Sequence, residues 1–349
     1  MSHELAPTPT PTITSLVTAA ACHARMCHSA RVTSTTWARA WERSALGPGG
    51  FWLREEPARH FRTTVGPVLR DAMLALLADV DLRLGSPSII DVIDIGAGDG
   101  ALLRSMESAL QGTRLCGRVR WTGVDVRPRP QDLPAAIDWH VRDATAHLPD
   151  TVTGLVMAHE WLDEVPVDVI ERDARGVDRV VLVDDFGGQA LGPEVADDQR
   201  AWLAAWWPLA DVGERAEIGL ARDRAWSRLC AGVAAGTIIA VDYGHVRSER
   251  RLTLRAYRDG ELLDAIPDGL RNLTAHVAID SCAAASPPRA TVTVTRQADA
   301  LAPLAGALPD PAAVSAGDYA AALSYVMECR YVRAAKGLGG HYWLRADVG

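Results

Sequence analysis

A glycine-rich turn offers the sharpest local chemistry in the sequence. Gly96, Gly98 and Gly100 follow a predicted buried strand, 88–95, and precede a predicted helix, 101–110. Glycines at such a turn let the backbone bend tightly and approach a ligand without a Cβ in the way. Because the spacing also fits the dinucleotide pattern G-x-G-x-x-A, the turn alone predicts a nucleotide-containing ligand without identifying it.

Carboxylates beside the turn indicate which ligand fits. Asp94 would repel a pyrophosphate at the helix N-terminus, but it would pair with the ammonium of an amino-acid-bearing ligand such as S-adenosylmethionine. Asp125 ends the next strand, where a carboxylate can accept both ribose hydroxyls of either nucleotide. Asp143 could reach the adenine amino group, and a solvent-exposed loop aspartate is an equal interpretation. The sequence favours S-adenosylmethionine over NAD, with the predicted cofactor-binding residues Asp94, Gly96, Gly98, Gly100, Asp125 and Asp143.

An acidic run follows the fourth predicted strand, 153–158, and reads His-Glu-Trp-Leu-Asp-Glu-Val-Pro-Val over 159–167. An open α/β sheet builds its active site outside the carboxyl ends of its strands, near the topological switch point. Methyl transfer requires little beyond holding a nucleophile in line with the methyl group and excluding water. If the nucleophile is a guanidine nitrogen, carboxylates can clamp it bidentately. We predict Glu160 and Asp163 for this clamp, and His159 either accepts a proton or hydrogen-bonds the loop; an acidic surface loop is the alternative.

Composition narrows the class of protein. The chain has 349 residues, 48% of them hydrophobic, which suits one large domain or two modest ones. Its formal charge of −8 disfavours a nucleic-acid partner. No apolar run is long enough to span a membrane, and no Lys or Arg precedes the mildly apolar segment 13–22, so we expect a cytoplasmic protein without a signal peptide. Only Lys336 is lysine, and the arginine-rich, alanine-rich composition is typical of a GC-rich bacterial genome.

The six cysteines are scattered through the chain and are predicted to be free thiols. Cys22-His23 and Cys27-His28 match none of the common zinc spacings, so no metal site is predicted. The oligomeric state cannot be derived from the sequence.

Alternation of β-branched runs with helical patterns predicts a parallel α/β sheet. We expect a doubly wound, Rossmann-like sheet with an N-terminal helical cap and an inserted subdomain. The predicted organisation is a disordered leader at 1–12, a helical cap at 13–87 with helices at 14–41 and 65–84, and the sheet domain at 88–349 with an insertion around 187–235. Within this insertion the cluster Trp202, Trp206, Trp207 is expected to be a packed helix face.

The acidic run resembles a family signature. It is similar to Asn-Glu-x-x-Asp-Ala-Leu-Pro-Val of the MidA-like methyltransferases, the group that contains the mitochondrial complex I assembly arginine methyltransferase. Other blocks resemble this family in the same order: Phe61-Arg62-Thr63-Thr64 its Phe-x-Thr-Ser, Gly213-Glu214-Arg215-Ala216-Glu217-Ile218 its Gly-x-Arg-x-Glu-Ile, Ile239-Ala240-Val241-Asp242-Tyr243-Gly244 its Ile-Asp-Tyr-Gly, Thr253-Leu254-Arg255-Ala256-Tyr257 its Thr-Leu-Arg-Ala-Tyr, and Leu273-Thr274-Ala275-His276-Val277 its Asp-Ile-Thr-Ala-His-Val.

The resemblance spans roughly residues 50 to 280 and implies a class I S-adenosylmethionine-dependent fold. It also suggests an arginine on a partner protein as the acceptor. His159 stands where the family usually has Asn, and Arg59-His60 stands where it usually has Gly-Asp before the Phe. Two alternatives remain at this point: a cofactor-binding assembly factor that chaperones a partner protein without methylating it, and an NAD-dependent oxidoreductase.

Overall fold

A computed structural model describes residues 34–55, 65–145, 151–305, 308–315 and 317–349. The predicted leader at 1–12, the cysteine–histidine pairs at 22–28 and the blocks at 59–64 lie outside these residues.

The described residues form ten helices and seventeen strands. The helices are α1 (Trp37–Leu46), α2 (Phe51–Arg54), α3 (Pro67–Arg83), α4 (Ala101–Ala109), α5 (Asp197–Trp206), α6 (Leu220–Gly232), α7 (Ile279–Ala284), α8 (Gln297–Ala300), α9 (Ala302–Ala305) and α10 (Tyr319–Val332). The strands are β1 (Thr35–Thr36), β2 (Ile90–Ile95), β3 (Val119–Asp125), β4 (Ile137–Val141), β5 (Val152–His159), β6 (Asp168–Arg172), β7 (Asp178–Val183), β8 (Gln189–Glu194), β9 (Arg215–Ile218), β10 (Val233–Asp242), β11 (Gly244–His245), β12 (Arg255–Arg258), β13 (Glu261–Leu263), β14 (Asn272–Thr274), β15 (Val277–Ala278), β16 (Ala290–Arg296) and β17 (Tyr342–Val348).

The main sheet has seven strands in the spatial order β16-β17-β10-β5-β2-β3-β4. Neighbouring strands from β10 to β4 are parallel, and β17 is antiparallel to both β10 and β16. The chain order reverses between β2 and β5, which makes this pair the topological switch point. The predicted doubly wound α/β fold is confirmed.

The central strand β2 shows why the sequence forms this sheet. All six of its residues are buried, as expected for a parallel strand covered on both faces. Alternate residues face opposite layers: Ile90 and Val92 pack in the core with α3 and α4, and Ile93 and Ile95 pack in the core with α6. The apolar run therefore holds the glycine turn rigidly at the carboxyl end of the strand.

A second sheet is antiparallel and has the path β1-β7-β6-β9, with β8 beside β7. Helix α1 packs on one face through Trp37 and Trp41, and α5 packs on the other through Trp202. The tryptophan cluster is packed as expected, but only Trp202 and Trp206 belong to the helix, because Trp207 follows its last residue.

Two boundaries differ from the sequence-based expectation. The inserted segment begins directly after β5 and includes β6 and β7, whereas we expected it around 187–235; α6, which we included in it, packs on β10 of the main sheet. Strands covered on both faces have the same apolar pattern in either sheet, so composition did not separate them. The segment predicted as a cap at 13–87 contains a strand, because Thr35 and Thr36 pair with β7 where the sequence predicted a continuous helix.

The helices of the segment 34–87 also pack on different sheets. In this segment α1 contacts the second sheet, while α3 contacts α4 and the main-sheet strands β5 and β10.

In the part of the chain that the structure describes, no helix has the length and apolar character needed to cross a membrane.

Candidate functional site

A cavity of about 1020 Å³ opens at the carboxyl ends of β2, β3 and β5. Its wall combines the glycine turn, the acidic run and side chains from α1, α2 and α6. Of the predicted site residues, the wall includes Asp94, Gly96, Gly98, Asp125, Asp143, His159 and Glu160. The structure therefore brings both sequence clusters together in one space at the switch point.

The glycine turn adopts backbone conformations that favour glycine. Gly96, Gly98 and Gly100 have φ values of 68°, 65° and 74°, all in the left-handed region. A Cβ at Gly96 would lie 2.8 Å from Cδ1 of Trp161, so the turn also passes close to the acidic run. Gly100 is the N-cap of α4 and does not line the cavity; it faces Leu133, which a Cβ would meet at 2.6 Å.

Asp125 organises the turn from the neighbouring strand. Its Oδ2 accepts a hydrogen bond from the Gly98 amide at 2.8 Å, and its Oδ1 accepts from the Arg127 amide at 2.9 Å and from Arg127 Nε at 3.1 Å. Each carboxylate oxygen can accept two hydrogen bonds, so Oδ2 has room for one further donor such as a hydroxyl group. Asp143 Oδ1 accepts from the Thr145 amide at 2.8 Å, which fixes the turn after β4.

Asp94 is a buried carboxyl group in the cavity wall. Burial raises its pKa to about 8, and the carboxylates of Asp125 and Asp99 add to the shift. No residue of the described chain donates a hydrogen bond to its side chain. A carboxyl group in this setting is mostly protonated at pH 7, and it becomes a carboxylate when a cation arrives.

This protonation state changes how Asp94 discriminates between a pyrophosphate and an ammonium group. We expected Asp94 to disfavour a pyrophosphate by charge repulsion, but a protonated carboxyl repels it less. The discrimination lies instead in what the group gains from an ammonium, which supplies both the positive charge and the hydrogen-bond donors that the site lacks.

Glu160 stands just beyond β5, and its backbone is strained. Its φ of 49° lies in the left-handed region, which costs a non-glycine residue roughly 1–2 kcal/mol. The Glu160 amide donates to the Val241 carbonyl at 2.8 Å, which anchors the turn to β10. Its side chain is only 8% exposed. Strain at a buried carboxylate in a cavity wall is typical of a functional position.

Two histidines lie beside the Glu160 carboxylate. Nε2 of His159 is 3.8 Å from Glu160 Oε1, and Nε2 of His341 is 4.0 Å from the same oxygen. Burial lowers the pKa of His159 to about 3 and that of His341 to about 4. Both imidazoles are therefore neutral at pH 7 and weak bases, which favours the hydrogen-bonding alternative for His159 over proton acceptance.

Asp163 does not line the cavity, in contrast to its predicted place in the clamp. Its carboxylate is buried behind the wall, where Oδ2 accepts from the Thr274 hydroxyl at 3.0 Å. Its amide donates to Asp242 Oδ1 at 3.1 Å. Burial raises the pKa of Asp163. The reason is local: residues 162–164 form a single 3-10 turn, in which Glu164 lines the cavity and Asp163 does not.

Arg222 of α6 fixes the acidic run from behind and was not singled out from the sequence. Its fully buried guanidinium donates to the carbonyls of Asp163, Val165, Ala275 and His276 at 2.7–2.9 Å. It joins the acidic run to the segment after β14. An arginine in a helical pattern usually indicates an exposed face, so no sequence signal identified it.

Glu164 is the second functional candidate that sequence reasoning missed. It lines the cavity, and its Oε1 accepts from Asn272 Nδ2 at 2.8 Å. Burial raises its pKa, as do the charges of Asp163 and Glu160. The signal was present, because Glu164 belongs to the same acidic run, but the sequence alone does not tell which carboxylates of a turn share a face.

Comparisons with known proteins agree with this geometry. Residues 76–293 match the sequence profile of a family described as "Putative S-adenosyl-L-methionine-dependent methyltransferase". No curated protein matches the chain.

Two solved structures from Burkholderia thailandensis are similar to the chain. One is described as a "likely methyl transferase" bound to S-adenosyl-homocysteine; it is 22% identical, with a TM-score of 0.72 over 90% of this chain and 88% of that chain. The other, an uncharacterised protein in its native form, is 21% identical, with a TM-score of 0.70 over 90% and 87% of the two chains. At this identity the likeness establishes the shared fold.

Proposed function

The chain belongs to this family of S-adenosylmethionine-dependent methyltransferases, and we propose that it methylates an arginine side chain of a partner protein. The family match covers more than half of the chain and agrees with the cofactor predicted at the glycine turn. The acceptor is the part of the proposal that depends on the cavity. The observation that carries it is the buried, strained Glu160 at the switch point, in the same wall as the glycine turn.

The residues at the glycine turn fit the cofactor. In this proposal Asp94 pairs with the ammonium of the methionine part, because its carboxyl has no donor from the described residues and gains a charge partner. The glycine turn leaves room for the backbone to approach the ligand at Gly96 and Gly98. Asp125 accepts a hydrogen bond from a ribose hydroxyl, and Asp143 binds the adenine amino group. Gly100 contributes indirectly, by starting α4.

The acceptor nitrogen must be held in line with the methyl group. When bound, S-adenosylmethionine supplies a methyl group that its sulfonium already activates. Glu160 orients the guanidine nitrogen so that its lone pair forms the new N–C bond while the S–C bond breaks and its electron pair stays on sulfur. Glu160 then takes the proton that nitrogen loses, since the neighbouring imidazoles are weak bases. His159 and His341 lie beside this carboxylate, with their Nε2 atoms 3.8 and 4.0 Å from Glu160 Oε1.

The variant Glu160→Gln tests the assignment. It keeps the shape of the side chain and removes the charge, so we expect a loss of methyl transfer of roughly 100-fold or more with unchanged cofactor affinity. Transfer is measured with methyl-labelled cofactor and lysate of the source organism, followed by acid hydrolysis and identification of the labelled amino acid.

Label recovered as methylarginine from the wild-type reaction, and lost with Glu160→Gln, is the expected result. Full transfer by Glu160→Gln, or label on another amino acid, would contradict the acceptor assignment. Cofactor binding without transfer to any protein would instead favour the non-catalytic assembly factor.

A further inference from the structure

Glu164 and Asn272 form a buried pair at the cavity wall. The Asn272 amide donates to one oxygen of the Glu164 carboxylate. The other oxygen, Oε2, is buried and has no hydrogen-bond partner among the described residues. A buried acceptor without a donor is costly, so such an atom in a cavity wall points to a donor that arrives with a ligand.

The nearby cation does not supply that donor. Arg222 is fully buried close to the acidic run, but its guanidinium donates to four backbone carbonyls. The pKa of Glu164 lies well above its ordinary value, because burial and the charges of Asp163 and Glu160 raise it. The charge of Arg222 lowers this pKa but does not offset the rise. The cavity therefore contains a carboxyl group whose charged form lacks a partner.

We propose that Glu164, oriented by Asn272, is the second carboxylate of the acceptor site and that it clamps a guanidinium together with Glu160. The inference rests on the proposed function and specifies its acceptor group. Glu164 replaces the predicted Asp163 in the clamp, because Glu164 lines the cavity and Asp163 does not. Two carboxylates in one wall match the several donors of a guanidinium better than a single ammonium, which acts as a point charge.

The variants separate charge from position. Glu164→Gln keeps the shape of the side chain and removes the charge. The double variant Glu164→Ala/Asn272→Asp moves the carboxylate to the other side of the pair. Asn272→Asp alone puts two carboxyl groups in contact, and these cannot both ionise. Glu194→Gln, an exposed carboxylate of β8 outside the cavity, is the control for the loss of one negative charge.

The probes are ethylguanidinium, its neutral analogue N-ethylurea, and ethylammonium. Each is titrated calorimetrically into the full chain, with and without S-adenosylhomocysteine. We expect wild type and Glu194→Gln to bind ethylguanidinium about tenfold more tightly than N-ethylurea, since a hydrogen bond to a charged group supplies at least that factor. Glu164→Gln should lose most of this preference, and the double variant should regain it.

Affinity for S-adenosylhomocysteine should stay unchanged in every variant. The inference is overturned if Glu164→Gln keeps the wild-type preference, if no preference exists in wild type, or if ethylammonium binds as well as ethylguanidinium. If S-adenosylhomocysteine does not bind wild type, the proposed function fails, while the same ethylguanidinium titration still decides the role of Glu164.

Discussion

At the scale of single residues, Asp94 couples ligand binding to protonation. Burial raises the pKa of its carboxyl to about 8, so this group is mostly protonated at pH 7. An ammonium beside it favours the charged form and lowers this pKa. Binding of S-adenosylmethionine should therefore release a proton, and its affinity should rise as the pH increases from about 6 to 7.

We predict that this proton release disappears in Asp94→Asn, together with most of the affinity. The pH range stays below the pKa of an α-amino group, about 8, so that the ligand itself remains protonated. Calorimetric titration in two buffers with different ionisation enthalpies measures the number of protons released. Equal release by wild type and Asp94→Asn would contradict the pairing.

The sequence predicts some residues of the site and not others. Asp94, Asp125 and Glu160 could be selected because each lies at or next to the carboxyl end of a strand whose position the apolar pattern determines. The choice between Asp163 and Glu164 could not, because it depends on the direction of a 3-10 turn held by Arg222 and by the hydrogen bond from Asn272. These contacts join positions more than fifty residues apart.

At the scale of elements, the acidic run depends on helix α6. Arg222 satisfies four carbonyls in two separate segments, and its charge faces the buried carboxyl groups Asp163, Glu217 and Asp242. A loop with so many buried polar groups needs such a partner.

We predict that Arg222→Met lowers the free energy of unfolding by about 3–5 kcal/mol, because it leaves buried acceptors and charges without a partner. Arg224→Met, on the same helix, removes an exposed pair with Asp198 and should cost no more than about 1 kcal/mol. Urea unfolding of the two variants measures the difference. A loss for Arg222→Met as small as that for Arg224→Met would show that the acidic run holds its shape without α6.

The glycine turn gives a second test at this scale. Gly96→Ala should cost roughly 1–2 kcal/mol of stability for its positive φ, and its Cβ would also displace Trp161 from the cavity wall. Gly112→Ala has a similar φ of 75° with no atom within 4 Å of the added Cβ.

Both variants should therefore lose similar backbone stability in urea unfolding, while only Gly96→Ala loses affinity for S-adenosylhomocysteine. If Gly112→Ala weakened binding equally, the effect would reflect general destabilisation and not the contact between the turn and Trp161.

The elements that the sequence predicts well are those whose pattern has one structural interpretation. The strand predicted at 88–95 is found at Ile90–Ile95, and the strand predicted at 153–158 is found at Val152–His159, since buried parallel strands form continuous apolar runs. The strand at Thr35–Thr36 could not be predicted, because two threonines form it only by pairing with β7. The same holds for the assignment of β6 and β7 to a second sheet, which depends on the partners they find.

At the scale of the whole molecule, elements of the main sheet and of the second sheet's surroundings both contribute to the cavity wall. The main sheet supplies the glycine turn and the end of β5, while α1, which packs on the second sheet, contributes Arg39 and Glu42 to the wall. In this account the main sheet binds the cofactor, and the elements around the second sheet shape the space for the acceptor.

The most direct test of this account is a calorimetric titration of the full chain with S-adenosylhomocysteine, followed by the same titration with NADH. We predict a single site with a dissociation constant on the order of micromolar for S-adenosylhomocysteine, about −8 kcal/mol, and no measurable binding of NADH. Binding of NADH in preference, or no binding of S-adenosylhomocysteine, would contradict the assignment of the cavity on which the proposed methyl transfer depends.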